Sequence, residues 1–215
     1  MATVVHESES IVQAIAERFG RIPPWRIRKD VVQGLAREHD VLAIHAREKR
    51  LCELVDGFLV EKPMGYEESL IAAEIIRLLG NFVSRRKLGI VAGEGGMLKL
   101  AIGLVRIPDV SFVARARLSA GKPPRHPIPR LVPNLAVEVL STSNTRREMI
   151  RKRAEYFDAG VELVWMVDPK SRSVEVFTNP SESEVYEVGQ ALNGGTVLPG
   201  FKIKVRDIFT PLDCQ

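Results

Sequence analysis

The chain has 215 residues, 45% of them hydrophobic, with a formal net charge of +4. That length and apolar content suit one domain with a buried core and exclude collagen-like, low-complexity and generally disordered classes. No apolar run approaches the ~18–20 residues that cross a bilayer, the opening MATVVHESESIV lacks the basic and apolar regions of a signal peptide, and two cysteines, Cys52 and Cys214, make no disulfide framework.

The first fifty residues read as a helical lead-in. Ser10 caps a helix whose apolar positions Ile11, Ala14, Ile15 and Phe19 follow helical spacing up to Gly20. Pro23 and Pro24 break it; a second helical stretch is expected over 31–38 and a third after Asp40 as N-cap. LCELVDGFLVEK predicts a β-hairpin around Asp56-Gly57, closed by Pro63. One long helix follows over 67–86, with Leu70, Ile71, Ala73, Glu74, Ile75, Leu78, Leu79 and Phe82 on its broad apolar face. GIVAGEGGMLKL predicts two strands around a glycine-rich turn, and LVRIPDVSFV a strand pair or a strand interrupted at Pro108.

Residues 121–133 hold five prolines and read as a stiff exposed loop. NLAVEVLS has the apolar run of a central strand covered on both faces. A helix over 145–157 carries capping-box spacing at Thr145 and Glu148, with Asn144 as an alternative cap, and ends at Gly160. LVWMVD is another buried strand, and VEVFT, EVYEV and FKIKV complete a meander. Strands, a crossover helix and more strands make an α/β or α+β fold with a mixed sheet, divided into a 1–50 N-terminal helical extension and a 51–215 main domain.

Several chemistries lack their motifs. Histidines 6, 39, 45 and 126 never fall in zinc-ligand spacing, and no G-x-S-x-G, P-loop or G-x-G-x-x-G is present. Two acids stand out instead. Glu138 lies between Val137 and Val139 in the most apolar strand, and Asp109 follows Pro108 inside RIPDVSFV. A buried carboxylate needs a partner, a proton or a metal. Two of them on neighbouring strands make a minimal hard-oxygen cage for Mg²⁺ or Mn²⁺; the plainer alternative has one acid capping a turn and the other paired with a buried arginine. Met149, Lys152 and Tyr156 share one helical stripe, which sets Lys152 toward the sheet unless its ammonium reaches solvent. Tyr156 and Trp165 read as packing residues rather than base-stacking platforms.

The segments ELVDGFLVEKPMGYEES, RIPDVSF, LAVEVLSTSN and KRAEYFDAGVELVWMVDP, in this order between 51 and 209, resemble the Uma-two type family of restriction endonucleases within the PD-(D/E)XK nuclease superfamily. The resemblance implies a restriction-endonuclease-like mixed β-sheet core flanked by helices, and a Mg²⁺- or Mn²⁺-dependent endonuclease acting on DNA. It makes Asp109 and Glu138 the metal-binding catalytic acids and Lys152 the displaced catalytic lysine, since Leu140 stands where the superfamily's usual lysine would be. Glu68 resembles an additional helix acid, or is simply a first-turn glutamate favoured by the helix dipole.

Charge distribution bears on the partner. Residues 115–153 hold ten Lys/Arg against Glu138 and Glu148, whereas 154–215 hold five bases against ten acids. A basic stretch attracts polyanions, although a solvated arginine-rich surface has the same composition. Arg146, Arg147 and Arg151 are the candidate nucleic-acid contacts, together with the 115–130 loop. The expected protein is cytoplasmic and homodimeric, since cutting both strands favours a two-fold pair. The alternative is a catalytically silent nucleic-acid-binding or regulatory protein on the same fold.

Overall fold

The computed structural model describes residues 13–213; the expected cap Ser10, Ile11 and Cys214 lie outside them. Residues 13–19 are helical (α1) and stop at Gly20, whose N–H bonds the Ala16 carbonyl at φ +70°. The helix expected over 31–38 does not form. The Gly34 and Ala36 amides instead donate to the carbonyl of Gly57, so the backbone donors a helix would use are spent on the hairpin turn. Gly57 must be glycine there, because a β-carbon would lie 2.2 Å from the Gly34 oxygen. Helix α2 (Glu38–Glu48) starts earlier than expected. Arg37 is its N-cap, and Asp40, at the third helical position, accepts the Arg37 N–H at 2.8 Å.

The hairpin forms as its sequence predicts. β1 (Cys52–Val55) and β2 (Phe58–Glu61) pair from Cys52↔Glu61 to Val55↔Phe58, and Asp56 and Gly57 both take the positive φ of a tight two-residue turn. Helix α3 (Tyr66–Arg86) follows. It buries Ile71, Ala72, Ile75, Leu79 and Val83, whereas Ala73 is exposed and Leu70 and Glu74 lie at the edge of the buried face.

β3 (Gly89–Gly93) and β4 (Leu98–Ala101), although joined by the glycine-rich turn, pair with different neighbours. β4 lies against β5 (Leu104–Arg106), while β3 lies against β6 (Val110–Ala114). The chain therefore leaves one sheet after Arg106 and enters the other at Val110. Ile107, Pro108 and Asp109 make that crossing, where proline's missing donor costs no ladder bond.

β7 (Leu135–Val139) is buried at every position. Helix α4 (Arg146–Ala159) has Thr145 as N-cap, with Glu148 N–H donating to Thr145 Oγ1 at 3.1 Å, and Gly160 at its C-cap. α4 carries the chain over to β8 (Leu163–Asp168), parallel to β7. β9 (Ser173–Phe177) and β10 (Ser183–Glu187) extend an antiparallel meander from β8. The last long strand leaves that meander: β12 (Leu198–Lys204) pairs with β11 (Ala191–Gly194), which the sequence pattern did not suggest, and the short helix α5 (Val205–Phe209) follows.

The result is a mixed α/β fold with a four-stranded sheet, order β2-β1-β5-β4, and a six-stranded sheet, order β10-β9-β8-β7-β6-β3. Strand alternation divides the six-stranded sheet into two faces. Leu135, Val137, Val139, Leu163, Trp165 and Val167 pack on α3 and α5. Ala136, Val164 and Met166 face α4 and β4, with Met149, Tyr156, Leu98 and Leu100. Among the described residues no helix is long and apolar enough to cross a membrane.

Candidate active site

The β6–β7 register runs Phe112↔Leu135, Ser111↔Ala136, Val110↔Val137. One step further sets Asp109 opposite Glu138, both 3% exposed. Two like charges directly across a ladder repel, so a cation between them is required. The structure supplies Lys62. Its ammonium is 2.9 Å from Asp109 Oδ1 and 3.2 Å from Glu138 Oε2, and it also donates to the Ile107 carbonyl.

Lys152 takes the inward course its helical stripe predicts. It is buried, with Nζ 3.0 Å from Glu138 Oε2 and 3.0 Å from Glu53 Oε1. The remaining carboxylate oxygens are held as well. Tyr156 donates its hydroxyl to Glu138 Oε1, and the Val139 amide donates to Asp109 Oδ2 at 2.6 Å. The plainer reading of the acids does not hold: Asp109 accepts a strand amide and caps no turn, and Glu138 is paired with lysines and not with an arginine.

Behind Lys152 lies a second buried layer. The β1–β5 register pairs Leu54 with Val105 and sets Glu53 opposite Arg106; Arg106 Nη1 donates to Glu53 Oε2 at 2.7 Å and its fork also grips Glu155. The Ile107 amide donates to Glu53 Oε1 at 2.9 Å. A separate buried pair, Arg26 with Glu148, is bidentate at 2.7 and 2.9 Å. Arg26 also donates to the Glu61 and Ser143 carbonyls, tying the lead-in to the base of α4.

Burial and charge set the protonation of this cluster. Burial pushes the Asp109 carboxyl up from its ordinary range, with the Glu138 charge adding to it and Lys62 pulling against it. Glu138 and Glu53 are also pushed up by burial, but neighbouring cations outweigh it and hold both carboxyls low: Lys152 and Lys62 at Glu138, Lys152 and Arg106 at Glu53. Burial works to deprotonate Lys62, yet Asp109, Glu138 and Glu53 keep its ammonium charged. Tyr156 is raised by burial and by Glu138, so its phenol stays a proton donor. Burial pushes the Cys52 thiol up to about 12, which removes it as a nucleophile.

Arg26, Lys62, Met64, Glu68, Asp109, Glu138, Ser141, Asn144 and Lys152 line one small cleft. It adjoins, through Met64 and Asp109, a groove of about 470 Å³ between the start of α3 and the Gly93–Gly96 turn. Glu68 is at the cleft, half-buried, but forms no ion pair with Lys62 or Lys152 among the described residues. Its Oε2 sits where a β-carbon on Gly65 would be, 2.1 Å away, over the first turn of α3. Among the described residues no cluster of three or more His, Cys, Asp or Glu side chains is spaced to hold a metal alone.

The three arginines proposed to grip phosphate differ. Arg146 is exposed and lines a neighbouring pocket that shares Ser141 and Asn144 with the cleft. Arg147 is exposed and reaches the Ala16 carbonyl, whereas Arg151 is bound to Asp56 and Glu155 and stacks on Phe19. The 115–130 loop begins at the far end of β6, where the Arg115 amide bonds Leu88, five residues of strand away from Asp109.

Glu53, Lys62, Arg106 and Arg26 were not singled out in the sequence. Glu53 carries the same signal as Glu138, an acid inside an apolar strand, CELV. Lys62 continues the inward-facing alternation Phe58, Val60 beyond the end of β2.

No curated protein matches this chain. The structure is similar to the crystal structure of a "putative nuclease" from Anabaena variabilis, with a TM-score of 0.66 over 75% of this chain and 91% of that one. At 18% identity that likeness is one of fold. The family model described as "Putative restriction endonuclease" matches residues 38–206, a span that takes in α2 and every residue of the cluster except Arg26. On that match, which covers well over half of its length, the chain belongs to the Uma2 family of nucleases.

Proposed function

We propose that this protein is a metal-dependent endonuclease that hydrolyses DNA phosphodiester bonds, with Asp109 and Glu138 as the metal ligands. The observation that carries this reading is the convergence of Asp109 Oδ1, Glu138 Oε2 and the Ile107 carbonyl oxygen on one cation position, which the Lys62 ammonium fills. The donor set fits a small hard cation. All three atoms are oxygens, and two carboxylates with water suit Mg²⁺, which keeps much of its hydration shell, or Mn²⁺. Asp109 and Glu138 would hold a divalent ion there, which would supply Lewis-acid polarisation of a phosphate oxygen and a more acidic water.

The chain's own residues do the rest. Val139 N–H and the Tyr156 hydroxyl fix the oxygens that face away from that position, so both carboxylates are oriented before substrate arrives. Lys152, locked between Glu138 and Glu53, presents its ammonium to the cleft, where it holds a phosphate oxygen or orients the attacking water. Arg146 grips a flanking phosphate beside the cleft, with Arg147 further along α4; Arg151 serves mainly to hold α4 against the hairpin. The groove beside Asp109 takes the DNA strand, Glu68 stands at its rim, and a homodimer brings two such sites to opposite strands.

The test is nicking of supercoiled plasmid in Mg²⁺ or Mn²⁺. Asp109→Asn and Glu138→Gln are each expected to slow cleavage by about two orders of magnitude or more, while circular dichroism shows both still folded. Wild-type protein that cuts no DNA under any divalent metal overturns the reading. The second reading, a silent nucleic-acid-binding protein, is favoured by one observation: Lys62 and Lys152 together already balance the acid pair without a metal. Its signature is a salt-sensitive DNA complex that needs no metal and yields no product.

A further inference from the structure

Lys62, whose side chain is 9% exposed at the cleft, is a cation to which the proposed chemistry gives no task. Lys152 bridges Glu138 to Glu53 and is backed by Arg106. Lys62 has no such second anchor among the described residues: its side-chain partners, Asp109, Glu138 and the Ile107 carbonyl, are the oxygens a metal would use. Its stem is a flexible four-carbon chain, and its backbone sits just past β2, where the Lys62 amide donates to the Leu51 carbonyl. The ammonium can withdraw without breaking a strand pair.

Charge balance gives the withdrawal a cause. Glu53, Asp109, Glu138 and Glu155 are met by Lys62, Lys152 and Arg106, with Arg151 also on Glu155. A divalent ion added to that set, with Lys62 still in place, would put two further positive charges beside its ammonium in a low-dielectric site. Glu138 Oε2 already takes both Lys62 and Lys152, and an ion seated where Asp109 Oδ1, Glu138 Oε2 and the Ile107 carbonyl converge would coincide with the Lys62 ammonium.

Resting on the metal-dependent reading, we propose that Lys62 is a tethered cation: it holds the Asp109–Glu138 pair in the metal-free protein, competes with the divalent ion for that position, and swings into the cleft when the ion binds. Lys62 is thereby a positioning residue that sets metal affinity.

The experiment measures Mn²⁺ binding by calorimetry and by the electron paramagnetic resonance of free Mn²⁺, on full-length protein. Lys62→Met keeps the side chain's bulk and removes its charge. It is expected to bind Mn²⁺ on the order of tenfold more tightly than wild type, to melt lower without metal, and to gain more in Tm from Mn²⁺. Lys62→Arg keeps a cation that lies in the cage with a larger, forked head, and is expected to bind Mn²⁺ more weakly than wild type; it carries the test if the Met variant does not fold. Asp109→Asn abolishes binding in every background. Wild type that binds Mn²⁺ through Asp109, with Lys62→Met no tighter or Lys62→Arg no weaker, overturns the inference and leaves the metal-dependent reading intact. Absence of Mn²⁺ binding to wild type and Lys62→Met alike overturns both.

Discussion

The two faces of the six-stranded sheet are built from the same strands and obey different physics. On the α3 face, Leu135, Val137 and Trp165 belong to an apolar cluster, with Trp165 tilted against Phe201 at 6.1 Å. Stability there comes from area removed from water and from close packing. On the α4 face, one residue along the same β7, Glu138 sits among Lys62, Lys152 and Tyr156. Stability there depends on charge balance, because each buried ion is tolerated only while its partners remain. The apolar face tolerates changes of shape at constant volume; the charged face tolerates little that alters its sum of charge. A sheet can carry a rigid core on one side and a reactive cluster on the other because its side chains alternate.

The largest contrast is expected at Lys152. Lys152→Met nearly conserves volume, so packing alone would make it mild, yet it strands Glu53 and Glu138 with one cation fewer. Urea unfolding is expected to show a loss of about 3–5 kcal/mol; a loss under about 1.5 kcal/mol would erase the distinction between the faces.

A smaller and pH-dependent effect is expected at Glu53. Its carboxyl is held below the ordinary 4.5 in the folded protein, burial being outweighed by Lys152, Arg106 and Lys62. Its contribution is therefore fully present above about pH 4.5 and is lost as pH falls below that value. Glu53→Gln is expected to cost roughly 1.5–3 kcal/mol at pH 7, and the gap from wild type should stay level in thermal melts from pH 7 to about pH 5 and narrow on further acidification to pH 3. Asp109 has the opposite sign. Its raised pKa means that it destabilises the fold progressively as pH rises through its titration, so Asp109→Asn gains on wild type toward neutral pH. A gap at Glu53 that stays constant with pH would argue that shape, not charge, matters on that face.

The smallest effect is expected on the apolar side. Leu79, fully buried under the sheet in α3, is replaced by methionine at less than about 1.5 kcal/mol by chemical denaturation. A cost comparable to that of Lys152→Met would collapse the comparison from the other direction.

Local patterns were sufficient for much of this architecture. Asp56-Gly57 predicts the hairpin, Thr145 and Glu148 the start of α4, and the alternation of LAVEV the central strand, because each depends on contacts within a few residues. The same logic picked out Asp109, Glu138 and Lys152, since a charge inside an apolar period must be accounted for. Glu53 carried that signal too but sits in a hairpin that reads as a surface feature until a second sheet covers it. The helix expected over 31–38 failed for a non-local reason, the capture of the Gly34 and Ala36 amides by Gly57.

The sequence by itself therefore determined most of the elements, with the 31–38 segment and β11 as exceptions, and the presence of buried acids, which follow from backbone periodicity and from the free energy of burying charge. Only the tertiary structure decided what stands between those acids. Lys62 arrives from a different sheet, across the crossing at Pro108, and its ammonium meets Asp109 and Glu138 through long-range contacts that no spacing along the chain encodes.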